Sequence, residues 1–64
     1  MTAEETYNEI WRLLDAADQA SIEAMEAKGS LAKMRARGMS VSYMQRAEAL
    51  DPRHDSRAWR EFDK

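Results

Sequence analysis

The side chains of this 64-residue sequence that could do chemistry are twelve carboxylates, ten lysines and arginines and a single histidine, with no cysteine. Lacking cysteine, the chain has no thiolate nucleophile, no disulfide and no thiolate metal site. Glu5 with Glu9, Asp15 with Asp18, and Glu9 with His54 are the pairs that could be drawn as a general acid and base or as the start of a metal site. A zinc ion on His54 would need carboxylates alone to complete its shell, and carboxylates at helical spacing are more often a solvated face. Gly29 and Gly38 are too few and too far apart to cradle a phosphate. No motif belongs to a reaction class. The expectation is a protein that is not an enzyme and takes no metal or cofactor.

Charge is placed unevenly. Residues 1–27 carry seven carboxylates against Arg12 alone, whereas residues 28–64 carry nine lysines and arginines against five carboxylates. Lys28, Lys33, Arg35 and Arg37 form a run without an acid, and with Arg57 and Arg60 they make a candidate basic patch. As a solvated helix face the run needs no function. As a contact surface it suits phosphate or, more economically, the acidic first helix of a second copy.

The elements that would position these groups read as helices. Thr2 followed by Glu5 is a capping box, and the acidic first turn suits the positive end of a helix dipole. Alanine, leucine, glutamate and methionine then run to Gly29 without a breaker, which predicts a helix from 3 to about 28. Its apolar arc takes in Trp11, Leu13, Ala20, Ile22, Met25 and Ala27 beside a heptad of Tyr7, Ile10, Leu14, Ala17, Ser21 and Ala24. The arc spans about 220°, where one buried face needs about 100°. One neighbour cannot cover it. Ile10, Trp11, Leu14, Ala17, Ser21, Ala24 and Met25 are therefore the candidate self-association seam, small enough at Ala17 and Ala24 for close helix approach. Asp18 lies inside the arc, either at its rim in water or as an anchor for a partner's basic residue.

Gly29-Ser30 is read as a break, with Ser30 capping the next helix. Residues 31–37 then make a short basic helix closed by Gly38. Ser42 with Gln45 starts another helix, carrying Tyr43, Met44, Ala47 and Leu50 on its inner side, and Asp51-Pro52 stops it. A last helix from about Ser56 to Phe62 offers Trp59 and Phe62 to the core. Tyr7, Trp11, Tyr43, Trp59 and Phe62 should converge on one cluster. The fold class is all-α: one domain, 1–64, a small bundle of three to four helices with a long N-terminal one. A chain this short buries only about 60% of its unfolded surface, so association is the natural reinforcement.

From Arg-Gly-Met-Ser at 37–40 through the helix with Ala47 to Ser56-Arg57-Ala58-Trp59-Arg60, the chain is similar in rhythm to repressor-type helix-turn-helix domains. The resemblance covers about residues 33–60 and implies a last helix offering Arg57 and Arg60 to a DNA groove. It departs from that family at Asp51-Pro52, where the family places a glycine. The sequence as a whole points to a non-enzymatic protein-protein interaction module, a small regulator, inhibitor or accessory subunit with a protein partner and expected to pair with itself as a homo-oligomer; a small helix-turn-helix-like DNA-binding regulator, with nucleic acid as its partner, is the alternative. No apolar run approaches the roughly 20 residues that cross a bilayer, and the acidic start is unlike a signal peptide, so a cytoplasmic location off the membrane is expected.

Overall fold

A computed structural model describes residues 1–63 as three helices: α1 (Ala3–Glu26), α2 (Ser30–Leu50) and α3 (Arg57–Phe62). The start of α1 is the expected capping box. Glu5 N–H donates to Thr2 Oγ1 at 3.1 Å, and Thr2 N–H donates to Glu5 Oε1 at 3.1 Å, so two backbone donors with no helical partner are satisfied. The helix stops at Glu26, where Ala27 turns extended while its N–H still reaches the Glu23 carbonyl. Gly29 follows at φ +109°, a conformation that side chains resist, and reverses the chain.

Two features of the second half differ from the sequence reading. Gly29 itself occupies the position before α2, with no side-chain cap, and Ser30 is already helical. Residues 31–37 and 42–50 are not separate helices: α2 runs unbroken through Gly38, and Ser42 lies mid-helix rather than in a capping box with Gln45. One interior glycine costs a helix about 1 kcal/mol. That is less than is gained by laying Ala36, Ser40, Tyr43 and Ala47, at spacings of three and four, along a single neighbour. Leu50, expected on the inner side, is exposed.

The three-residue connection folds α2 back antiparallel on α1. Ser40 Oγ–H donates to the Ala17 carbonyl at 3.0 Å, which leaves Ser21 Oγ–H to donate to Ser40 Oγ at 2.8 Å. Those bonds set the register. Away from the turn, Ile10, Leu13, Leu14, Ala47 and Ala58 are buried together, and Tyr7, Trp11, Tyr43, Met44, Trp59 and Phe62 pack around them. All five aromatics converge as the sequence implied. Near the turn only Ala17, Ala20 and Ala24 of α1 and Ala36 of α2 are buried, so that half of the hairpin is held by close backbone approach and two serines. The molecule is elongated, 41 × 22 × 16 Å.

The glycines carry opposite expectations. A Cβ added at Gly38 meets nothing within 4 Å and its φ is ordinary, so Gly38→Ala should raise stability by about 1 kcal/mol. Gly29→Ala has equal room but the wrong φ, and should lower it. Thermal melts of the two variants check both signs.

Candidate protein-binding face

The apolar arc of α1 has two covers. Along its whole length α2 takes one side, burying Ile10, Leu13, Ala17, Ala20 and Ala24. Beside it, α3 covers Tyr7, Trp11 and Leu14: the Trp11 and Phe62 rings meet edge to face at 5.5 Å, the Arg57 guanidinium lies 4.7 Å over the Tyr7 ring, and Glu61 accepts from Tyr7 Oη–H and from Trp11 Nε1–H at 3.4 Å. With six residues, α3 reaches no further. Of the seven seam residues, Ile10, Leu14, Ala17 and Ala24 are spent inside the chain, Trp11 is half-buried against α3, and Ser21 bonds to Ser40. Met25 remains open, 82% exposed, with Ile22 beside it at 39%.

Across the hairpin, α2 leaves Leu31, Met34, Met39 and Val41 in water, Met34 at 68% and Val41 at 55%. Sequence reasoning missed these because residues 31–37 and 42–50 were divided at Gly38. Read as one helix, Leu31, Met34 and Val41 recur at three and seven, a stripe that α1 cannot reach. Ile22, Met25, Leu31, Met34, Met39 and Val41 thus lie on the half of the hairpin where only two helices are present, while Met1 and Leu50 are exposed at the other end. Monomeric proteins seldom leave such a contiguous surface in water.

Electrostatics separates the two ends. Lys28, Lys33, Arg35 and Arg37 are all exposed around the turn, and none is in an ion pair among the described residues. Arg57 and Arg60 lie on α3 at the other end, Arg57 engaged by Tyr7 and by Glu61 at 3.7 Å. The candidate basic patch is therefore two clusters at opposite ends of the molecule. On α1 the Arg12 guanidinium beside Glu9 holds that carboxyl below its usual range, with Arg46 adding to the effect. Asp18 is exposed at the rim of the arc.

The expected acid/base pairs are solvated. Glu5 is committed to the cap, whose backbone N–H lowers its pKa, Glu9 pairs with Arg12, and Asp15 and Asp18 are exposed. His54, at φ +54°, stacks flat on Trp59 at 3.7 Å rather than facing Glu9. Among the described residues no polar or charged side chain is buried, and no group of three or more histidines and carboxylates could hold a metal.

The less obvious organiser is Asp51. Its Oδ2 accepts Ser56 N–H at 2.8 Å and Trp59 Nε1–H at 3.0 Å, and its Oδ1 accepts Asp55 N–H at 3.1 Å. These donors, Ser56 first, pull its pKa below the ordinary value. The sequence showed Asp51 only as a helix stop before Pro52. The same carboxylate also fixes the angle at which α3 returns to α1.

Compared with family models, with curated proteins and with solved structures, the chain matches none. No helix among the described residues is long and apolar enough to cross a membrane.

Proposed function

We propose that the chain is a protein-protein interaction module that works by occupying a surface on another protein, as a small regulator, inhibitor or accessory subunit does, and that it performs no reaction of its own. The observation that carries this reading is the gathering of Ile22, Met25, Met34 and Val41, framed by unpaired basic side chains, where a third helix is missing. Apolar area flanked by charge is the usual composition of an interface core and its rim. Catalysis would call for an ionisable group withdrawn from water, and the described residues bury none.

A DNA-binding role is the alternative, and it would require the 33–37 cluster with Arg57 and Arg60 on one surface. Their separation to opposite ends favours the protein-binding reading. The test is a photo-crosslinking side chain placed at Met34 and, separately, at Gln19, which is exposed on α1 away from the apolar strip. In extract of the source cell, protein adducts should form from position 34 and not from position 19. Equal yields, or none from either, would overturn the reading.

A further inference from the structure

Methionine is the only sulfur-bearing residue of the chain, five in 64 residues with no cysteine. None of the five is fully buried. Met25 and Met34 lie on the open strip, 82% and 68% exposed. Met25 continues the α1 stripe of Tyr7 and Leu14 beyond the reach of α3, and Met34 stands seven residues before Val41 on α2. The other three are placed elsewhere. Met1 is at the far end, Met39 shares a stripe with Arg46, whose charge acts on Glu9 on the opposite side of the hairpin, and Met44 is half-buried against the core cluster.

A thioether reacts with hydrogen peroxide without a cofactor. The sulfur lone pair attacks one peroxide oxygen, the O–O bond breaks, and the departing hydroxide takes the proton left on the new S–O group and leaves as water. Sulfur is oxidised by two electrons and peroxide is reduced by two, so a flexible apolar side chain becomes a polar, chiral sulfoxide. A methionine sulfoxide reductase reverses the step, two thiols becoming a disulfide as the oxygen leaves in water. Within this chain no thiolate competes for the oxidant. Exposure therefore sets the order in which its methionines react.

Resting on the interaction-module reading, we propose that Met25 and Met34 are oxidation sites at which peroxide switches the binding face off while leaving the fold intact. The separation of the two effects follows from where each sulfoxide oxygen lies. In the free chain both side chains stand in water, so the new acceptor is hydrated and the helices lose no buried contact. Under a partner the same oxygen must shed its water beside Ile22 and Val41, and an acceptor buried without a donor costs far more than the thioether it replaces. The penalty falls on the bound state alone. Met1 and Met39 also take up oxygen, but off the strip, so their oxidation is silent. Met44, packed against the core cluster, reacts last.

Purified chain, treated with hydrogen peroxide and then freed of it, provides the test. Peptide mass mapping should find Met25 and Met34 oxidised well before Met44, and the circular dichroism melt should be the same before and after the exposed sulfurs have reacted. A photo-crosslinking side chain at Val41, which is exposed and carries no sulfur, is then presented to extract of the source cell. Prior oxidation should cut its adduct yield about tenfold. The double variant Met25→Leu, Met34→Leu should keep its yield under the same treatment, although Met1 and Met39 still oxidise. Adducts that survive full oxidation of Met25 and Met34, an equal loss in the double variant, or a melt lowered by oxidation would overturn the switch and leave the interaction-module reading standing. Adducts absent from positions 34 and 41 before any oxidation would remove that reading and the switch with it.

Discussion

Ile10→Ala should leave the chain largely unfolded, or at best lower its Tm by about 10 °C or more. Ile10 is the largest side chain with essentially no exposed surface, and it stands among Leu13, Leu14, Ala47 and Ala58 where all three helices meet. Truncating a buried isoleucine to alanine costs about 2–5 kcal/mol, from lost transfer energy and from the cavity left behind. The entire stability of 64 residues is about 3–10 kcal/mol at typical values per residue. Two of the immediate neighbours are already alanines, which cannot swing inward to fill the hole. Ile22→Ala, in the open strip, should change stability by no more than about 0.5 kcal/mol. Melts followed by far-ultraviolet circular dichroism compare the two, and similar losses would mean that the core has been misplaced along α1.

Asp51→Ala should release α3. Three donors, two from the backbone and the Trp59 indole, converge on that one carboxylate. Removing it leaves Ser56 Oγ, which accepts Ala58 N–H at 3.3 Å, as the remaining local constraint on a helix of six residues. Fluorescence from Trp59 and Trp11 should shift toward that of indole in water, whereas Asp55→Ala, whose side chain is exposed and holds nothing, should leave the spectrum unchanged. The same carboxylate sets an acid dependence. Its folded pKa lies below the ordinary 3.8, as those of Glu5 and Glu9 lie below 4.5. Such groups contribute stability that is fully present above the ordinary values and is lost as pH falls through the lowered ones. Stability should be flat from neutral pH down to about 5 and fall below about 4. Asp51→Asn should flatten part of that fall, and an unchanged acid profile would remove Asp51 from the cause.

Local signals were legible in the sequence where one short stretch decides the outcome. Thr2 and Glu5 form their cap among themselves and Asp51-Pro52 forbids helix by steric clash, so each reads correctly from a few letters. Gly38 is the counter-example. In isolation it looks like a boundary, and only the neighbouring α1, invisible to a local reading, makes continuation the better outcome. The apolar arc of α1 was legible as too wide for one partner, but not which part the chain would cover for itself. That depends on α3 returning to Tyr7, Trp11 and Leu14 from about fifty residues away, and on its being too short to reach Ile22 and Met25. Met34 and Val41 escaped notice for the same reason, since their stripe exists only once α2 is a single helix.

Large buried side chains, Ile10, Leu13 and Leu14, all lie in one half of the hairpin, and the other half is closed by alanines and the Ser21–Ser40 contact. Separating α1 from α2 near the turn exposes little apolar area, so that end can open while the aromatic cluster stays intact. Amide protons there should exchange through these partial openings rather than through global unfolding, with protection rising along both helices away from Gly29. The surface proposed as a partner's seat is thus expected to be the most pliable part of the molecule. A partner seated there should slow the exchange of that backbone, so that binding would be recorded as order gained at the turn rather than as a change in the shape of the core.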